Sequence, residues 1–135
     1  MAADRFGVRS ADGTPLAVWV EAQGPPLVLV HGSMCDHTAS DPLVAELRAT
    51  MTTFAVDRRG FGAGGDAAGY ALEREFEDVA AVVEAVAARA GGPVALWGHS
   101  YGAGCAMGGA ALTGAVGGLV LYEPGLGIPY PAGSI

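Results

Sequence analysis

A charge-free apolar run, Val94 to Trp97, leads directly into Gly98-His99-Ser100-Tyr101-Gly102 and then into a stretch of small residues. A strand-like run that meets a helix start through one serine flanked by glycines requires a sharp strand-to-helix turn. The fold has to be one that supports such a turn. At its apex the serine hydroxyl is held clear of its own backbone, beside a helix N-terminus that stabilises negative charge. The two glycines let neighbouring strands approach the turn.

The rest of the chain supplies strands and helices in alternation. Residues 5–9 and 15–21 alternate apolar and polar around Ala11-Asp12-Gly13, which predicts an opening β-hairpin. Leu27 to Val30, bounded by Pro25-Pro26 and Gly32, predicts a strand buried on both faces. Asp41 is the predicted N-cap and Pro42 the first-turn residue of a helix reaching about residue 49, followed by a strand over 52–56 and a loop over 57–62. From Leu72 to Ala90, Phe76, Val79, Ala80, Val83, Val86 and Ala87 form an apolar stripe opposite Glu73, Glu77 and Glu84, closed by Gly91-Gly92. After the strand at 94–97 come a helix from 101 to about 113 and a sixth strand over 119–122, and regular structure fades beyond Pro124.

Strand–helix alternation implies right-handed crossovers and a largely parallel α/β sheet, whose ligands sit at the carboxyl ends of the strands. His31, Asp57, Ser100 and Glu123 all fall at such ends, on one rim. An apolar content of 51% in 135 residues suits one core, without internal repeats or linkers. The net charge of −7 disfavours nucleic acid and anionic membrane surfaces. All seven basic residues are arginine, so no lysine is present for Schiff-base chemistry. Cys35 and Cys105 are isolated, which favours a reduced, cytoplasmic setting and a packing role for both, and the N-terminus has no secretion-signal pattern. The uncharged stretch between Arg89 and Glu123 is interrupted by Pro93, His99 and many glycines, so it predicts a buried strand, turn and helix and not a membrane span. No metal site is expected, because the histidines lack ligand spacing, and Gly62-Ala63-Gly64-Gly65 does not open a helix as a phosphate loop would.

Three linked motifs, His31-Gly32-Ser33-Met34, Asp57-Arg58-Arg59-Gly60-Phe61-Gly62 and Gly98 to Gly102, resemble in order and spacing the α/β-hydrolase fold, in particular esterases and cofactor-free haloperoxidase-like members. The resemblance runs up to the sixth strand. It implies a mostly parallel, doubly wound sheet truncated after strand six, a single partial domain over 1–135, and no cofactor. It further implies that Ser100 is a nucleophile and that the backbone N–H groups of Ser33 and Tyr101 form an oxyanion hole. His31, with Gly32, is expected to brace that loop and less to act as a base. Asp57 is expected to brace its own loop through N–H groups or arginine, His99 to pack, and His37 to face solvent.

A serine at position 100, where epoxide- and halide-converting relatives carry aspartate, implies acyl transfer on an ester-, thioester-, lactone- or amide-type small molecule, with perhydrolysis not separable. The family's catalytic histidine follows a later strand, so the chain is expected to be catalytically incomplete. Glu123 is either the triad acid or a strand-terminating polar residue lining the pocket. Trp97, Met34 and Met107 are expected to pack in the core more than to line an acyl pocket. Tyr130 is a pocket candidate, and a lid is expected to begin around 125–135. A non-catalytic ligand-binding or assembly module is the competing reading. In either case the sixth strand leaves an apolar edge that a homo-oligomer or a complementing chain is expected to cover.

Overall fold

The computed structural model describes residues 4–124. Strands β1 (Asp4–Arg9), β2 (Pro15–Glu21), β3 (Pro26–Val30), β4 (Thr52–Asp57), β5 (Val94–His99) and β6 (Val116–Tyr122) form one sheet in the order β1-β2-β4-β3-β5-β6. The two pairings of β2 are antiparallel, and those of β3 with β4, β3 with β5 and β5 with β6 are parallel. The expected α/β class and mostly parallel sheet are therefore present.

Alternation along each central strand serves both faces. Val28, Val30, Phe54, Val56 and Leu96 pack against α2 (Leu72–Ala90) and α3 (Tyr101–Ala110). Leu27, Leu29 and Ala55 turn to the other face, beneath Val44 of α1 (Asp41–Leu47). The apolar stripe of α2 buries Val82, Val83 and Val86 completely. Each such side chain contributes about 1.5–3 kcal/mol of transfer free energy. Gly91 ends α2 in the left-handed conformation at φ 81°, and its N–H returns to the Ala87 carbonyl.

Several boundaries differ from the sequence reading, among them the end of α1 at Leu47 and of β4 at Asp57. Asp41 lies inside the first turn of α1, and Ser40 takes the N-cap without a side-chain bond. Helix α3 stops at Ala110, short of 113, and β5 runs on to His99, against the elbow. Strand β6 starts at Val116 because parallel pairing with β5 joins Val116 to Val94 and Gly118 to Ala95, with an irregularity at Gly117 between them. Met34 and Met107, expected in the core, are 89% and 41% exposed. Met34 stands on a loop beyond β3 at φ 58°, and Met107 lies on the outer side of α3.

The strand order places the site. From β3 the chain crosses over α1 to β4 on one side, then returns over α2 to β5 on the other, and leaves β5 through α3 on the face opposite α1. Adjacent strands whose connections depart in opposite directions open a crevice at their carboxyl ends. That crevice lies between His31 and Ser100.

Val83→Ala removes two methyl equivalents from a site with no exposure. It is expected to lower the unfolding free energy by about 2–3 kcal/mol in urea titration, transfer and residual cavity together.

Candidate active site

Ser100 sits between β5 and α3 at φ 56°, ψ −119°, a conformation that L residues rarely hold and that costs about 1–3 kcal/mol. Its N–H donates to the Tyr122 carbonyl of β6 at 3.0 Å, and its own carbonyl accepts from Ala103 N–H at 2.9 Å. The flanking glycines are required by contact. A Cβ on Gly98 would lie 2.5 Å from the Gly102 carbonyl oxygen, and one on Gly102 would lie 2.2 Å from that of His31. The turn is therefore pressed onto the end of β3.

The loop after β3 meets the turn from the other side, since a Cβ on Gly32 would come within 3.4 Å of Ser100 Cβ. Ser33 follows, exposed. Among the described residues no acceptor is seen for the Ser33 or Tyr101 N–H. His31 is 1% exposed, and its Nδ1–H donates to the Gly32 carbonyl at 2.8 Å while Nε2 accepts Arg58 N–H at 3.1 Å. Burial pushes its pKa below the usual imidazole range, against the raising effect of the Gly32 bond. Both ring nitrogens are thus engaged, one with the loop that follows β3 and one with the backbone after β4.

His37 departs from expectation. It stacks on Trp19 with centroids 4.1 Å apart, and its Nδ1 lies 2.8 Å from Asp57 Oδ1. Solvent exposure was the expectation for an isolated imidazole in a polar stretch; the Trp19 face and a buried carboxylate draw it in. Asp57 itself is fully buried and accepts His37 N–H on Oδ1 and Trp19 Nε1–H and Ala63 N–H on Oδ2. Burial alone would raise its pKa, but these donors outweigh it and hold the carboxyl below its ordinary range. Asp36, His37 and Asp57 bring ligand-type atoms within 4.8 Å of one another, a cluster not legible from spacing. Asp36 is occupied in capping Thr38, whose N–H it accepts at 2.9 Å, so each member already has a hydrogen-bonding role.

His99 lies beside Glu123, with Nε2 3.8 Å from Oε1, stacks against Trp97 and meets the Tyr122 ring at a tilt. Glu123 terminates β6 at φ 50° with its side chain 69% exposed. Trp97 is half-buried at the margin of the α1-side core. Tyr130 and the lid expected over 125–135 fall outside the described residues. Cys105 is fully buried and its thiol is pushed up to about 12 by that burial.

Sequence reasoning missed two buried acids of α2. Glu75 takes Arg58 in a bidentate pair at 2.7 and 2.9 Å, and Asp78 takes Arg59 at 2.6 and 2.7 Å. Arg59 also reaches Asp12, at 2.9 Å. The available signal was register, since Glu75 and Asp78 stand one turn before Val79 and Val82 on the buried face of α2, unlike Glu73 and Glu84. Tyr70 hydrogen-bonds Glu75, and its hydroxyl lies 2.5 Å from that of Tyr101. A cavity of about 460 Å³ opens beside these groups, bordered by Ser33, Met34, Phe61, Tyr70 and Tyr101. Among the described residues no helix is long and apolar enough to cross a membrane.

A family model described as "Alpha/beta hydrolase family" matches residues 27–135. Similar solved structures include an alpha/beta hydrolase from Sphaerobacter thermophilus, 40% identical with a TM-score of 0.78, over 88% of this chain and 45% of that one. A thermophilic esterase from Thermogutta terrifontis is 28% identical with a TM-score of 0.76, again over 88% and 45%. An esterase from a Rhodococcus species is 32% identical with a TM-score of 0.74, over 87% and 44%. The chain thus spans a little under half the length of these structures. No curated protein matches it.

The depressed carboxyl of Asp57 has a signed consequence. Between its folded value and the unfolded value near about 3.9, the unfolded state binds the extra proton, so stability falls as pH drops through that window. Urea titrations at pH 7 and pH 3 are expected to show Asp57→Asn less stable at pH 7 and less sensitive to acid than the parent. Equal acid sensitivity of the two would remove Asp57 from the pH dependence.

Proposed function

The chain belongs to the alpha/beta hydrolase family, and from that premise we propose that it is the core of a serine hydrolase acting by acyl transfer on a small ester, thioester, lactone or amide. The observation that carries this reading is the junction at Ser100. Its strained backbone stands at the head of α3 against Gly32, and the N–H groups of the residues that follow, Tyr101 after Ser100 and Ser33 after Gly32, lack acceptors among the described residues. Ser100 Oγ attacks the carbonyl carbon as a general base takes its proton, later returned to the leaving group, the carbonyl π pair moves to oxygen, and these two N–H groups meet the charge that develops there. Collapse expels the leaving group and leaves an acyl-enzyme for water to hydrolyse.

All three histidines of the chain are otherwise engaged, His31 in bracing its loop, His37 with Asp57 and His99 beside Glu123. None of the three is therefore proposed as the base for Ser100. Glu123, at the end of β6, is the acid at this rim suited to orient such a base. The cavity bordered by Ser33 and Tyr101 suits a small acyl group. Arg58 and Arg59 beside it are neutralised by Glu75 and Asp78, which favours uncharged over anionic substrates. A reducing, cytoplasmic setting suits the two free cysteines.

One observation favours assembly as a second reading. Strand β6 pairs only with β5 among the described residues, and Leu119, Val120 and Tyr122 are 38%, 54% and 53% exposed. We place a further strand on this edge, from a second copy or a complementing polypeptide. Size-exclusion light scattering is expected to show self-association that Val120→Lys reduces. A parent that stays monomeric at high concentration would count against a second copy.

The oxyanion reading is tested without a base by replacing Ser100 with cysteine in a Cys35→Ser background. Serine keeps a donor toward the Ser33 carbonyl, as Cys35 does now at 3.2 Å, and Cys105 stays silent through burial. Acetylation by an activated ester passes through an oxyanion, whereas alkylation by iodoacetamide does not. The acetylation-to-alkylation ratio is expected to exceed that of a free thiol by about 100-fold, the effect typical of one oxyanion donor. A ratio equal to the free thiol would sink the proposal.

A further inference from the structure

Resting on the reading of Ser33 N–H as an oxyanion donor, we infer that Arg58 is the positioning residue that aims it. The Ser33 N–H belongs to the same rigid peptide unit as the Gly32 carbonyl, so whatever holds that oxygen fixes the direction of the N–H. The Gly32 oxygen accepts two bonds, from His31 Nδ1–H at 2.8 Å and from Arg58 Nη1–H at 3.0 Å. The latter is charge-assisted, and it polarises the peptide toward a stronger donor at its far end.

The same guanidinium ties this peptide to three other parts of the site. Its Nε and Nη2 hold Glu75 of α2 as a fork. The backbone N–H of Arg58 donates to His31 Nε2, and the Arg58 Cζ lies 4.9 Å from the centre of the ring of Tyr101, the residue that supplies the second donor. Tyr70 closes the circuit by bonding both Glu75 and the Tyr101 hydroxyl. Arg58 is 5% exposed, and every polar edge of the group has a partner. Lysine carries the charge but its donors diverge from a single nitrogen, so it cannot reproduce the planar fork on Glu75 together with the separate bond to Gly32.

The test places Arg58→Lys in the Ser100→Cys, Cys35→Ser chain and measures acetylation and iodoacetamide alkylation side by side. Acetylation is expected to fall at least about tenfold while alkylation changes less than about twofold. Two results would overturn the inference: both rates falling together, which marks a general structural role, or a ratio that does not move. Should Arg58→Lys fail to fold by circular dichroism, Tyr70→Phe on the exposed side of the network carries the test. It is expected to lower the ratio about threefold or more at unchanged alkylation, and an unchanged ratio overturns the proposal. A parent ratio no higher than a free thiol's identifies a different failure, that of the oxyanion reading itself, and removes this inference with it.

Discussion

The first turn of α3 lies directly on the end of β3, so close that a Cβ at Gly102 would stand 2.2 Å from the His31 carbonyl oxygen and 2.5 Å from that of Val30. This backbone-on-backbone contact leaves no room for any side chain and sets where β5 must turn. Gly98 is constrained in the same way from below, against Gly102 and Ala103. Between two such contacts Ser100 is left with one available path, the strained conformation at φ 56°. Its N–H bond to Tyr122 anchors the turn to β6 as well. Three strands thus share the load of holding one unfavourable residue, which is the condition under which such strain persists.

A second constraint keeps the loop after β4 from behaving as a loop. Exposed connections are ordinarily mobile. Here Asp57, Arg58 and Arg59 are all buried, and each is saturated by partners on other elements. Buried ion pairs are weak sources of net stability, because desolvation of both charges offsets most of their attraction. Loss of one partner is costly all the same, at about 3–5 kcal/mol, since the remaining charge stays buried. The arrangement therefore contributes geometry more than stability. It fastens the rim of the sheet to α2 through groups that tolerate only one relative placement.

The two faces of the sheet are covered unequally. Helices α2 and α3 seal one face with a continuous apolar layer, whereas on the other α1 covers Leu27, Leu29 and Ala55 and leaves Trp97 half-buried. The edge at β6 is open among the described residues. The chain also spans a little under half the length of the structures it resembles.

Much of this was legible in the order of residues. Periodicity marked α2 from Leu72 to Ala90 without error, because a stripe of valines at helical spacing has only one way to be buried. Glycines on either side of Ser100 marked the turn, because only a residue without a side chain permits that approach. Continuous apolar runs marked the central strands but not their neighbours, since a run buried on both faces carries no record of what lies beside it. Register could mark Glu75 and Asp78 as facing inward, but the partners of these two and of His37 were hidden for the same reason. Each is a polar residue whose partner, Trp19 with Asp57, Arg58 or Arg59, is distant in sequence, so local spacing holds no trace of the pair. The sequence by itself determined the elements, their order along the chain and the turn at Ser100. Only the tertiary structure decided that β5 lies against β3 and not against β4, and with it that Gly32 meets Ser100 on one side and Arg58 on the other, because strand neighbours are chosen by the packing of whole faces and not by any residue alone.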